Sequence, residues 1–207
     1  MKLPVPVAVF ASGGGTNLQA LLDHESESGT YHVALVVSDR EGVGALERAR
    51  SAGRESCVIE TRGRSVTDVG RETLERLAGL EAILLAGYLR MIPPAVVAAY
   101  ERRILNIHPA LLPAFGGTGM YGTRVHEAVL ASGVEVTGAT VHYVDEEYDT
   151  GPIVAQWSVP VRPGDDVETL AARVLEVEHK LYPAVADHLC RALAEGVDPG
   201  TFDPTPL

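Results

Sequence analysis

Short runs of Val, Ile, Leu and Ala alternate along this chain with longer stretches in which apolar residues return every three or four positions. The short runs predict strands over residues 5–11, 31–38, 56–59, 82–86 and 104–108, and the longer periods predict helices near 17–23, 44–52, 66–77 and 93–100. Strands that are apolar on both faces, joined by connections long enough for a helix, specify a parallel sheet covered on either side. Pro93 and Pro94 fall at the head of the fourth helix, where the first turn has no N–H bond to lose. Residues 1–108 therefore read as a doubly wound half of the Rossmann-like kind.

Beyond residue 108 the pattern changes. A loop rich in Pro and Gly, 109–122, leads to a helix near 123–132 and then to two β-rich runs, 137–144 and 152–161, which predict an antiparallel pair. A long last helix starts near Val167, with Asp165 and Asp166 at its positive end. Pro183 is expected to kink or interrupt it before it resumes toward Ala194, and the Pro- and Gly-bearing tail, 196–207, is expected to form a surface strap or a fraying end. No repeat, low-complexity tract or Gly/Ser linker divides the chain. The expectation is one α/β domain: a doubly wound, mostly parallel sheet with antiparallel C-terminal strands and a long C-terminal helix.

Composition narrows the partners. Lys and Arg number 17 against 28 Asp and Glu, a net charge of −11 over 207 residues. An acidic chain without a basic block is repelled by DNA, tRNA and anionic membranes, which leaves small molecules and proteins as partners. Cys57 and Cys190 show neither CxxC nor metal-ligand spacing and fit a reducing compartment. No apolar run approaches the ~20 residues needed to cross a bilayer, and the N-terminus lacks a secretory apolar stretch. A cytoplasmic monomer or homodimer is expected. The pair His126-Glu127 lacks the second histidine of an HExxH helix, so no metal is expected.

Four constellations can carry chemistry. Ser12-Gly13-Gly14-Gly15-Thr16-Asn17 lies between the first strand and the first helix, where converging backbone N–H groups and the helix dipole can hold a phosphate without lysine. An ordinary turn capped by Thr16 or Asn17 is the plainer alternative. Leu18 stands where GxGxxG needs its third glycine, and no Gly-Lys-Ser/Thr follows, so a phosphomonoester fits better than a dinucleotide or nucleoside triphosphate. Asn106 and His108, two residues apart at the end of the fifth strand, share one face at ~6.6 Å spacing, at the strand ends where α/β sheets bind ligands. A hydrogen-bonded core Asn beside an incidental His is the alternative.

Asp149, in Tyr148-Asp149-Thr150-Gly151-Pro152, is either a turn aspartate or a functional carboxylate. The same Asp-Thr-Gly triplet occurs in aspartic peptidases, but those pair two such aspartates in a nearly all-β setting, whereas this chain has one triplet amid alternating α and β. Finally, the stripe Val167, Leu170, Val174, Glu178, Leu181, Val185 places one carboxylate on an apolar helix face. A buried Glu needs a cation, a donor or a ligand hydroxyl.

Taken together, these motifs resemble the folate-dependent formyltransferase family. The similarity runs over most of the chain, through Ser12-Gly13-Gly14-Gly15-Thr16-Asn17-Leu18-Gln19-Ala20, Gly44-Ala45-Leu46-Glu47-Arg48-Ala49, Leu85-Ala86-Gly87-Tyr88-Leu89-Arg90, Asn106-Ile107-His108-Pro109, Leu111-Leu112-Pro113, residues 138–151 and Glu178-His179. The resemblance implies that Asn106, His108 and Asp149 move a formyl group from 10-formyltetrahydrofolate, a co-substrate, to the amine of glycinamide ribonucleotide. In that reading Asn106 donates to the tetrahedral oxyanion, His108 donates as an imidazolium, and Asp149 stabilises its charge or steers a relaying water.

By the same resemblance Gly15, Thr16, Asn17 and Glu178 meet the ribonucleotide, the first three at its phosphate and Glu178 at its ribose. Leu89, Arg90, Met91, Ile92, Val97 and the backbone around Val144 line the folate site, His142 supports, and residues 109–207 form the folate and catalytic half. Ala110 and Thr150 depart from common family residues, as does the glycine-rich loop 115–122. Arg62, Arg64 and Arg71 are further candidates for a phosphate. A relative acting on another amine, or a formyltetrahydrofolate hydrolase, is the alternative. Tethered nucleic-acid or regulatory domains of the tRNA-directed and hydrolytic relatives are not expected here.

Overall fold

The computed structural model describes residues 2–205, so the last two residues of the expected C-terminal strap lie outside the described residues. Its elements are β1 (Val5–Phe10), α1 (Thr16–Ser28), β2 (Tyr31–Ser38), α2 (Gly44–Ser51), β3 (Glu55–Val58), α3 (Val66–Arg76), β4 (Ala82–Leu85), α4 (Pro94–Ala99), β5 (Ile104–His108), α5 (Thr123–Ser132), β6 (Val136–Tyr143), β7 (Ile153–Pro160) and α6 (Val167–Glu195). One seven-stranded sheet runs in the order β3-β2-β1-β4-β5-β6-β7. β1 to β5 pair in parallel, and β6 and β7 add antiparallel strands. The strand order reverses between β1 and β4, which opens a crevice at their carboxyl ends.

Alternation within β1 sorts the core. Val5, Val7, Val9 and Ala11 point to one side, where α1, α2, α5 and α6 bury Leu18, Leu21, Ala45, Val129, Leu181 and Val185. Ala8 and Phe10 point to the other, against Val69 of α3 and Val96 of α4. This is why the early strands carry unbroken apolar runs: both of their faces are covered.

Two expectations are corrected. α1 does not stop near residue 23 but runs through the polar stretch His24-Glu25-Ser26-Glu27-Ser28. Glu25 turns inward, where Arg54, the Val33 N–H and His32 surround its carboxylate. α6 is not interrupted at Pro183 but continues for 29 residues. Tyr182 and Pro183 are both buried, and the Tyr182 hydroxyl donates to the Leu85 and Leu105 carbonyls, so packing onto the sheet holds the helix where its own bond is missing. The tail does form a strap, with the Phe202 N–H donating to Val154 on the outer edge of β7 and His188 donating to the Pro199 carbonyl.

Candidate active site

The crevice widens into a cleft of about 930 Å³ that runs from the Asn17 end of α1, past β5, to the segment after β4. The glycine loop forms one end. Gly15 adopts φ 73°, and a Cβ there would stand 2.8 Å from Ala45 Cα, so only glycine lets α2 approach. Asn17 Nδ2 donates to Glu178 Oε2 at 2.7 Å, joining α1 to α6. Burial pushes the Glu178 carboxyl up to about 7, with the Asn17 donor opposing. Asn17 and Glu178 line the cleft, whereas Thr16 faces an adjoining groove and Gly15 packs against α2.

The opposite end is a slot lined by Tyr88, Leu89, Arg90, Met91, Ile92 and Val144. Its backbone is fixed by Ser12, whose N–H donates to the Gly87 carbonyl and whose hydroxyl accepts from the Leu89 N–H. Arg90 is aimed by Asp39, a buried carboxylate that also takes Arg40. Burial alone would raise Asp39, but hydrogen bonds from Arg40, Ser12 and Arg90 outweigh it and hold the carboxyl below its ordinary range. Val97, placed in this slot by the sequence argument, instead packs with the core on the α3 and α4 side and does not line the cleft. Arg64 is tied to Glu72 and Arg71 to Asp68 and Glu75, and neither they nor Arg62 reach the cleft lining.

Between the two ends lies a cluster set by strand register. Asn106 and His108 share a face of β5, and in the antiparallel pairing with β6 residue 106 stands opposite His142 and residue 108 opposite Thr140. Asn106 Nδ2 therefore meets His142 Nε2 at 3.0 Å. His142 Nδ1 can only donate to the Tyr143 carbonyl at 2.8 Å, which leaves Nε2 toward the Asn106 amide and Asp149. The second hydrogen of that amide remains for a ligand.

Likewise His108 Nε2 donates to the Phe115 carbonyl at 2.9 Å, which leaves Nδ1 facing Asp149 Oδ2 at 3.5 Å. Burial lowers the His108 pKa below its ordinary value; Asp149 and the Phe115 carbonyl pull the other way without overcoming it. Asp149 comes from the β6–β7 connection in a left-handed conformation, φ 60°, with the Gly117 N–H on Oδ2 at 2.9 Å and His142 Nε2 3.5 Å from Oδ1. Burial opposes its ionisation, but hydrogen bonding with His142, the nearby His108 ring and the Gly117 N–H together hold it below the usual carboxylate range.

The arrangement thus pairs an anionic carboxylate with an imidazole that rests neutral, beside an amide with one spare donor. Such a set can take a proton from an incoming amine, carry it as an imidazolium, and stabilise an oxyanion. Three participants were not singled out as site residues from the sequence. Arg40 lines the cleft, Gly117 holds Asp149, and His126, 6% exposed on α5, faces the cleft. Alternation along β6 puts His142 on one face with Thr140, but nothing local signals which residue of β5 it meets or that the 109–122 loop folds back onto Asp149. Among the described residues no cluster of His, Cys, Asp and Glu is arranged to hold a metal ion.

The doubly wound α/β sheet thus carries a glycine loop at its switch point and an imidazole–carboxylate pair between the two ends of one cleft. The chain belongs to the formyl transferase family, whose profile matches residues 5–186. It is 39% identical over 186 residues to phosphoribosylglycinamide formyltransferase of Bacillus subtilis (strain 168), covering 88% of this chain and 93% of that one. It is 46% identical over 192 residues to the chloroplastic phosphoribosylglycinamide formyltransferase of Vigna unguiculata, covering 89% of this chain. The chain spans 60% of the length of that plant relative. The crystal structure of glycinamide ribonucleotide transformylase 1 from Symbiobacterium toebii superposes with a TM-score of 0.82 at 42% identity, covering 93% of this chain and 88% of that one.

Proposed function

We propose that this protein transfers the formyl group of 10-formyltetrahydrofolate to the amine of glycinamide ribonucleotide, yielding formylglycinamide ribonucleotide and tetrahydrofolate in purine biosynthesis. The observation that carries this reading is the Asn106–His108–Asp149 cluster, seated between the slot at residues 88–92 and the Asn17–Glu178 end of the same cleft. The slot formed by Leu89, Arg90, Met91, Ile92 and Val144 suits a pterin, with exposed backbone groups for its donor and acceptor edge. Gly15, Thr16 and Asn17 offer N–H groups to the phosphate, and Glu178 accepts from ribose hydroxyls.

The attacking nitrogen forms its bond to the formyl carbon, and the carbonyl electrons move onto oxygen, where the free Asn106 N–H receives them. The ammonium proton passes to His108 Nδ1, directly or through a water held by Asp149, and the resulting imidazolium is stabilised by that carboxylate. The bond from carbon to the folate nitrogen then breaks, and His108 returns the proton to the departing amine. Starting from neutral His108 agrees with its lowered pKa and inverts the order expected from sequence, in which the ring begins as the imidazolium. Among the described residues no helix is long and apolar enough to cross a bilayer.

The test is a spectrophotometric assay of folate deformylation with and without glycinamide ribonucleotide. Folate product that appears only with the ribonucleotide, matched by formylated ribonucleotide, is the expected result. Release of folate product without acceptor would make the protein a hydrolase.

A further inference from the structure

The antiparallel register lines up three side chains on one face of neighbouring strands: His108 on β5 stands opposite Thr140 on β6, and Thr140 stands opposite Gln156 on β7. Gln156 does not line the cleft, and it gives both amide hydrogens to acceptors within the protein. Its Nε2 donates to the Leu112 carbonyl at 2.9 Å and to Thr140 Oγ1 at 2.9 Å. The Thr140 hydroxyl gives its own hydrogen to the Ala110 carbonyl at 2.7 Å and accepts from the Leu112 N–H at 3.0 Å. One hydroxyl and one amide thereby pin both ends of the segment Ala110-Leu111-Leu112, just after His108, where Ala110, Leu112 and Thr140 are buried. Rotating the Gln156 amide by half a turn would set its oxygen against the Leu112 carbonyl, so only the donating orientation closes the network.

That segment is the root of the turn that reaches the reacting pair. Beyond Leu112, the Phe115 carbonyl accepts from His108 Nε2 at 2.9 Å, and the Gly117 N–H donates to Asp149 Oδ2 at 2.9 Å. Between them Gly116 lies on the Leu112 and Asp149 side chains: a Cβ there would stand 2.5 Å from Leu112 Cδ2 and 3.2 Å from Asp149 Cβ. The seat of Leu112 thus sets where the Phe115 carbonyl falls. That position matters because a neutral imidazole carries one ring hydrogen, and His108 has an acceptor on each side. The Asp149 carboxylate, 3.5 Å from Nδ1, is the stronger acceptor by charge, whereas the Phe115 carbonyl holds the hydrogen on Nε2 by being closer. Were the turn to move away, the hydrogen would pass to Nδ1 and leave that atom unable to take a proton.

We infer that Gln156 is a positioning residue for the transfer reaction: through Leu112 and the Phe115 carbonyl it holds the His108 hydrogen on Nε2 and so keeps Nδ1 open to the proton of the attacking amine. This rests on the reading above, in which His108 Nδ1 takes that proton, and adds the side chain that selects the nitrogen. Because Gln156 stands outside the cleft lining, its removal acts on turnover and leaves binding of both substrates alone.

The experiment pairs steady-state constants with nitrogen NMR of the histidine rings for wild type, Q156M and Q156E, the His108 signals being assigned by their loss in His108→Ala. Methionine matches glutamine in length and offers no hydrogen. Ionised glutamate keeps the shape of the amide and offers none either, so Q156E carries the test if Q156M fails to fold. The wild-type ring should show the Nε2–H tautomer, and in the variants the hydrogen should move toward Nδ1. With that shift kcat should fall by about ten- to a hundredfold, while both substrate KM values stay at their wild-type values. A wild-type tautomer retained in both variants, an unchanged kcat, or a rise in KM without loss of kcat overturns the assignment. Failure of the underlying reading is distinct, because the tautomer is read without substrate: wild type would then make no formylated ribonucleotide, whichever nitrogen carries the hydrogen.

Discussion

His108 is drawn in two directions, by burial toward the neutral ring and by Asp149 toward the imidazolium. Removing it removes both proton acceptor and donor, so His108→Ala should lower turnover by ~10² or more, while equilibrium dialysis still shows ribonucleotide binding. Glu178 shows the opposite balance. Its carboxyl is raised from 4.5 to about 7, so between those values the native chain holds a proton that the unfolded chain has released. Stability contributed at this site is therefore greatest below pH 4.5, falls as pH rises through the window, and levels off above about 7. Glu178→Gln abolishes that titration. Its unfolding free energy, read by denaturant titration, should exceed that of wild type increasingly from acid to neutral pH, by roughly 3 kcal/mol at the plateau. The same variant should bind ribonucleotide more weakly and folate as before; the reverse pattern would move Glu178 to the other end of the cleft. The sequence shows that Glu178 interrupts an apolar stripe, yet not that its partner is Asn17, because that contact joins two helices 161 residues apart.

At the scale of elements, the β6–β7 connection decides where Asp149 goes. A Cβ at Gly151 would run into the Tyr143 carbonyl oxygen, a backbone atom that cannot yield. Gly151→Ala should therefore cost about 1–3 kcal/mol in thermal or denaturant unfolding, and turnover should fall with it as Asp149 is displaced. Strand positions were legible because each strand carries its own apolar run, and β3 differs by a single residue from its predicted bounds. Helix ends were less so. α1 outlasts its apolar period because Glu25 finds Arg54 across the molecule, and α6 survives Pro183 because Tyr182 anchors it to the sheet. In both cases a tertiary contact outweighs the local preference. Val97 follows the same rule: the α4 period marks it as apolar, but which side of the sheet it faces is settled by packing.

Across the whole molecule, the cleft is flanked by residues of both halves, with β1 and β4 supplying the loops, β5 and β6 the reacting cluster, and α6 the far wall. The net charge of −11 sets what may enter. Small anions are admitted by local donors, but a long polyanion meets repulsion over its length, so methionyl-tRNA should yield no formylated product under conditions where the ribonucleotide is turned over. Formylation of both at similar rates would overturn the acceptor assignment. By itself the sequence determined the α/β class, the order of strands and helices, the glycine loop and the candidate residues Asn106, His108, Asp149 and Glu178, since each depends on periodicity or spacing over a few positions. The tertiary structure alone decided the antiparallel register that joins Asn106 to His142 and the return of the 109–122 loop onto Asp149. Those contacts link residues from 32 to 36 positions apart, and closing such loops is driven by burial of the whole core, which no local window contains.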